Sequence, residues 1–313
     1  MLIPRSIHRW VVVAFALTAG LTPMAFSATA MAHPATTGRT WYVAVGAQNQ
    51  SMSIMGMLFT PNDLTVNQGD TIVWVSEASE PHTVTFVPPG QPVPDFGPAV
   101  FFPAGGSSYD GTGFFNSGVL TTVSASEIGL PFVATTYRLT INAPVGHYTY
   151  YCAVHPGMQA TIHVQAPGSA YPVAQEQYAH GPHLQLGPII STGHHLMNQA
   201  RAVSDNHHVA VGFSQGNVDV MRFTPSVVTI HVGESVTFTS YAMGPHTVTF
   251  GEEQADITAP YGDPTHYDGS APLNSGFIFA PQTFTVTFTK AGTYPYFCGL
   301  HDYMGMVGTV VVE

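Results

Sequence analysis

Charge is scarce in this chain of 313 residues: Asp, Glu, Lys and Arg together make up 8%, and seven basic residues face 18 acidic ones, for a formal net charge of −11. Lys290 is the one lysine, and the six arginines are scattered. Without a basic patch, nucleic acid is excluded as a partner. Such sparse charge suits an acidic exterior, where carboxylates would be neutralised. Cysteine is nearly absent, with Cys152 and Cys298 the two present. A single disulfide would be the plain reading in an exported chain. Each cysteine, however, opens the same kind of short motif in a separate part of the sequence, which argues against pairing. Long helical periods are missing too, and beyond the N-terminus no run is apolar enough to span a bilayer.

What is present is Gly (31), Pro (25) and short alternating runs of Thr and Val, with 45% hydrophobic residues overall. This composition predicts an all-β protein with many turns, large enough for two domains with separate cores. The N-terminus, MLIPRSIHRWVVVAFALTAGLTPMAFSATAMAHP, sets Arg5 and Arg9 before an apolar run that ends in small residues. It reads as a secretory signal peptide over 1–32. An exported protein, periplasmic or extracellular, is therefore expected, with an uncleaved membrane anchor as the alternative.

The rest of the chain says most things twice. FTPNDLTVNQGDTIVWVSEASEPHTVTF at 59–86 and FTPSVVTIHVGESVTFTSYAMGPHTVTF at 223–250 align without a gap at an offset of 164, with 13 of 28 positions identical. VAVG, YDG…NSG and a Cys-x-x-His segment each occur twice as well. Two copies at this spacing indicate a domain duplication. The expected organisation is one domain over 33–166, a Pro/Gly/His-containing linker over 167–205 with a short helical turn near 196–202, and a second domain over 206–313. Closely spaced alternating strands with Gly and Pro turns predict a Greek-key β-sandwich in each. The Pro-rich stretch 87–106 is expected to be a surface loop.

Each repeat carries a candidate metal set. His82 and His246 each follow a proline at the start of HTVTF, Cys152 pairs with His155 and Cys298 with His301, and a methionine closes each group. Two imidazoles, a thiolate and a thioether form a borderline-soft set that suits copper in both oxidation states. Structural zinc sites seldom use thioether and would show more cysteine. A lone Cys-x-x-His is a weak signal; the same ordered set twice in one chain is a strong one.

On these residues the chain resembles a two-domain cupredoxin, the blue type 1 copper proteins. CAVHPGM at 152–158 resembles amicyanin and implies His82, Cys152, His155 and Met158 as ligands. CGLHDYMGM at 298–306 resembles pseudoazurin and plastocyanin and implies His246, Cys298, His301 and Met306. Met304 competes with Met306, but Met306 stands at the same distance from the final strand as Met158. The resemblance also implies two copper ions per chain, redox partner proteins, and His155 and His301 near the surface as electron ports. Many cupredoxins have Asn after the first histidine ligand; here Thr83 and Thr247 stand there, and their hydroxyls can still hydrogen-bond around the site.

Two-domain relatives that act as oxidases or reductases need additional histidines, often His-x-His, wired to the cysteine. This chain has no His-x-His, and Tyr151 and Phe297 precede the cysteines. An electron carrier is therefore expected rather than an enzyme; the alternatives are a copper carrier or storage protein without redox duty and, less favoured, a two-domain copper oxidase or nitrite reductase-like enzyme. Met52, Met55 and Met57 are expected to pack in a strand. His180, His183, His194, His195, His207 and His208 are expected to be solvated, His147, His163 and His231 structural or exposed, and Asn116 and Asn274 turn-forming. His33, the mature N-terminus after cleavage, lacks an evident partner for a copper site.

Overall fold

The computed structural model describes residues 38–174, 177–178 and 181–313. The signal peptide expected at 1–32, His33 and His180 lie outside the described residues. The regular secondary structure is mostly β-strand, arranged as two sandwiches of the same design.

In the first, Thr40–Gln48, Ile54–Thr60, Thr71–Ser76 and Thr136–Ile141 belong to one layer, and Asp63–Asn67, Gly146–Tyr151 and Gln159–Gln165 to the other. Between them Trp41, Phe59, Trp74, Phe86 and Tyr150 are fully buried. Their rings meet mostly edge to face, as the pair Phe59–Tyr150 does at 4.7 Å, the arrangement aromatic quadrupoles favour. Asp70 anchors one end of this core, accepting from the N–H of Arg39, the indole of Trp41, the N–H of Asn67 and the Tyr171 hydroxyl. The second sandwich repeats the plan, with Phe223, Phe238, Phe250, Phe288 and Tyr296 in the core.

The two sandwiches share a sheet. Ile54–Thr60 pairs antiparallel with Val218–Thr224, which makes one nine-stranded sheet through both domains. At this junction Ile54 faces Val220, Met55 faces Asp219 and Gly56 faces Val218. Met55 and Asp219 are themselves repeat counterparts, 164 positions apart. The pairing is thus symmetric about that pair, and the domains join as an isologous dimer does. It also covers an edge that either domain alone would leave open. Arg222 adds two hydrogen bonds across the seam, to the carbonyls of Ser51 and Met52.

The segment between the domains differs from the expected linker. Instead of a short turn near 196–202, a 22-residue helix, Gly181–Ala202 (α1), lies over the seam. Ile189 and Leu196 of α1 pack with Ile54, Val218 and Val220 in a separate apolar cluster. Gly187, Pro188 and Gly193 lower the intrinsic helix propensity, and burial of this stripe on the shared sheet overrides it. Gly193 permits the closest approach, since a Cβ there would lie 2.4 Å from Ile54 Cγ2.

Candidate metal centres

In each domain one histidine comes from a strand entrance and the remaining groups from a single hairpin loop. His82 is fixed by reciprocal backbone hydrogen bonds with Leu120, and His246 likewise with Ile278. The VAVG glycines explain themselves here. A Cβ on Gly46 or Gly212 would lie 2.4 Å from Nε2 of His82 or His246, and both glycines have positive φ. The loop 152–158 joins Gly146–Tyr151 to Gln159–Gln165, and 298–306 joins Gly292–Phe297 to Val307–Val312.

The donor atoms converge. In the first domain Cys152 Sγ lies 3.8 Å from His82 Nδ1 and 3.6 Å from His155 Nδ1. In the second, Cys298 Sγ lies 3.7 Å from His246 Nδ1 and 3.4 Å from His301 Nδ1, and the two Nδ1 atoms are 3.1 Å apart. Metal–ligand bonds of about 2.0–2.3 Å in a trigonal plane would separate such donors by about 3.4–3.8 Å. The four sulfur–nitrogen distances fall in this range and the His246–His301 separation of 3.1 Å is a little shorter, so the residues fit one ion at each centre. Among the described residues these are the two places where three or more His, Cys, Asp or Glu side chains gather in this way.

The methionines separate by position. The N–H of Cys152 donates to the carbonyl of Met158 at 2.9 Å, and that of Cys298 to the carbonyl of Met306 at 3.1 Å. Met158 and Met306 are buried in the cores of their own domains, together with the cysteines. Met304 is also buried, but it packs with the core cluster of the first domain. The extra residues of the second loop form a 3₁₀ turn, Asp302–Met304, closed by Gly305 in a left-handed conformation.

Burial opposes charge on both thiols, yet the two neighbouring imidazoles outweigh it and hold Cys152 and Cys298 well below the ordinary thiol range. Burial likewise opposes charge on His155 and His301, but the thiolate and Glu80 beside each raise both to about 10. A backbone N–H also reaches each sulfur, from Thr83 and Thr247, at 3.4 Å.

A chain of hydroxyls supports each loop. Ala153 N–H donates to Thr83 Oγ1 at 2.8 Å, Thr83 lies 2.8 Å from Thr85 Oγ1, and Thr85 donates to Asn116 Oδ1 at 2.9 Å. Thr85 spends its one proton on a carbonyl oxygen, so Thr83 must be the donor in the middle link. Its lone pair is then free for Ala153. Thr247, Thr249, Asn274 and Gly299 repeat this arrangement. Asn116 and Asn274 are thus not turn-formers. They are fully buried strand residues, and each amide also donates to two carbonyls of the facing loop. The signal available in the sequence was the fixed recurrence of NSG together with HTVTF.

His155 is half-buried and His301 buried, so neither lies open at the surface. Their side chains are 13% and 8% exposed, and their Nε2 edges turn toward one buried carboxylate, Glu80, at 3.1 and 3.5 Å. From the second domain, His301 and the Tyr303 hydroxyl reach the Ser79–Glu80 segment of the first. Of the other residues singled out, Met55 and Met57 are core residues and Met52 packs beside them. His194, His195, His207 and His208 are exposed. His147 and His163 face each other across their strands, with His163 Nε2 held by Asp63 at 2.8 Å.

Sandwich and donor set together define a duplicated cupredoxin with one copper site of two His, one Cys and one Met per domain. The comparisons with known proteins agree. The family described as copper binding proteins, plastocyanin/azurin family, matches residues 45–165 and 208–313, and the chain belongs to this family. A chloroplastic plastocyanin of Tetradesmus obliquus is 32% identical over 162 residues, 51% of this chain and 94% of the relative. A plastocyanin of Scenedesmus fuscus is 36% identical over 92 residues, 29% of this chain and 86% of the relative. Among solved structures, amicyanin from Paracoccus versutus is 27% identical, covers 36% of this chain and 89% of that chain, and has a TM-score of 0.24.

Proposed function

We propose that this protein is an exported electron carrier with two mononuclear type 1 copper sites, held by His82, Cys152, His155 and Met158 in the first domain and by His246, Cys298, His301 and Met306 in the second. Copper would supply the one-electron couple. The protein supplies two imidazoles, a thiolate and a thioether, largely buried from water. The observation that carries this reading is the convergence of Cys152 and Cys298 with two Nδ1 atoms each, within 3.8 Å. The relatives named plastocyanin support carriage rather than catalysis, with redox proteins as partners. The Arg-flanked apolar run at 1–32 supports export to a periplasmic or extracellular space. Among the described residues no helix is long and apolar enough to cross a membrane.

The test is copper loading. Cu(II) should give the intense visible band of a Cys–copper bond, with two type 1 ions per chain by spin resonance. Cys152→Ser should remove one of them. No such band at either site would end the proposal.

A further inference from the structure

The carboxylate of Glu80 is an expensive feature of this fold. The residue is 4% exposed, and a buried carboxylate costs several kcal/mol unless it is compensated. Its compensation comes from both domains at once. Oε1 lies 3.1 Å from His155 Nε2, in hydrogen-bonding geometry. Oε2 has no hydrogen bond, and lies 3.5 Å from His301 Nε2. The two imidazole edges that meet it come one from each domain.

Nothing in the repeat itself asks for this acid. The counterpart of Glu80, 164 positions on, is Gly244. One carboxylate near the local two-fold serves two equivalent histidines, so a second would only add a like charge. Its backbone is clamped from both sides of the seam. The N–H and hydroxyl of Ser79 donate to Gln48 Oε1 at 2.8 and 2.7 Å. The carbonyl of Ser79 accepts from Thr121 at 2.7 Å and, from the other domain, from the Tyr303 hydroxyl at 3.2 Å.

We propose that Glu80 is a positioning residue shared by both metal sites, orienting His155 and His301 through their Nε2 edges and joining the two sites into one coupled pair across the domain seam. The inference rests on the reading of the two clusters as copper sites. An imidazole bound through Nδ1 keeps its Nε2 proton; the Nε2 of His155 meets Oε1 of Glu80 in hydrogen-bonding geometry, and the Nε2 of His301 lies 3.5 Å from Oε2 of the same carboxylate. This is the carboxylate–histidine–metal arrangement used twice by one acid. Its negative charge would favour the higher oxidation state of an ion bound at either site. If both sites hold copper, electron exchange by way of His155, Glu80 and His301 would oxidise one ion as it reduced the other, and would require no proton and no outside reagent.

The decisive variant is Glu80→Gln in a Cys152→Ser background, where the second site alone forms a type 1 centre. Glu80 belongs to the first domain, so a role confined to that domain would leave the second site untouched. The expected result is a higher reduction potential at the second site and a loss of about 10–100-fold in its Cu(II) affinity by competition titration. The mirror experiment, Glu80→Gln with Cys298→Ser, should move the first site in the same direction. Glu80→Asp keeps the charge but shortens the reach, and should give a partial shift at one site or both. Unchanged potential and affinity at the second site, with its band intact, would overturn the proposal. Absence of the band before Glu80 is altered would instead overturn the copper reading beneath it. If Glu80→Gln fails to fold, Tyr303→Phe, which releases the Ser79 clamp from the second domain, must shift the potential of the first site, and its failure to do so would count against the coupling.

Discussion

Met55 lies directly opposite Asp219 in the strand pair that joins the two domains, and these residues are each other's repeat counterparts. A symmetric seam thus carries an asymmetric pair, a thioether facing a carboxylic acid. Asp219 is 8% exposed. Burial raises its pKa, with the Ser214 hydroxyl and the more distant imidazoles His155 and His246 only partly offsetting it. The seam therefore holds two buried acids in different settings, Glu80 between two imidazole edges and Asp219 with its pKa raised by burial.

A pH-dependent stability follows for Asp219. A carboxyl group whose pKa is higher in the fold than in the unfolded chain lowers stability at pH above both values, and not below both. Asp219→Asn should therefore stabilise the protein at pH 7, and the gain should vanish as the pH falls below about 4, the unfolded value. Denaturant midpoints of both proteins across this range would check it. A gain that persists at acid pH would show that packing rather than ionisation is responsible.

The helix over the seam makes a second prediction. Gly193→Val would drive side-chain atoms into Ile54, whose Cγ2 is already 2.4 Å from where a Cβ would stand. Overpacking of this kind costs about 1–3 kcal/mol. The loss should appear in urea denaturation, while both copper bands keep their positions, because α1 touches the shared sheet rather than the loops.

The parts of this architecture that recur in the chain were legible from the sequence. His82, Cys152 and His155 could be named because His246, Cys298 and His301 repeat them in order. Glu80 could not, since its counterpart is Gly244 and its partners come from opposite domains. The seam left a trace that alternation rules miss. The strand IMGMLFT is buried at every position but one, the mark of a strand covered on both faces, here by a core below and α1 above. The helix itself was hidden by Gly187, Pro188 and Gly193, and its stability comes from the sheet it covers.

The hydroxyl chain behind each loop predicts an effect on metal binding. Thr83→Ala removes the acceptor for Ala153 N–H and the donor for Thr85, leaving buried groups unpaired at about 1–3 kcal/mol each. Copper affinity at the first site should fall by about 10–100-fold, with the second site unaffected. Thr83→Ser keeps the hydroxyl and should restore most of the affinity. Competition titration in a Cys298→Ser background reads the first site alone.

The two methionines of the second loop should separate by what they disturb. Met306 occupies the place of Met158, with its carbonyl closing the loop onto Cys298 at 3.1 Å. Met304, 1% exposed, faces the core of the other domain. Met306→Ala should therefore change the visible and spin-resonance signature of the second site strongly and leave the first unchanged. Met304→Ala should leave the ligand set in place and act on packing, at about 2–5 kcal/mol for a buried methionine truncated to alanine. That loss should register as a lower unfolding midpoint. A second-site spectrum that follows Met304 rather than Met306 would reverse the assignment and place the axial ligand on the 3₁₀ turn.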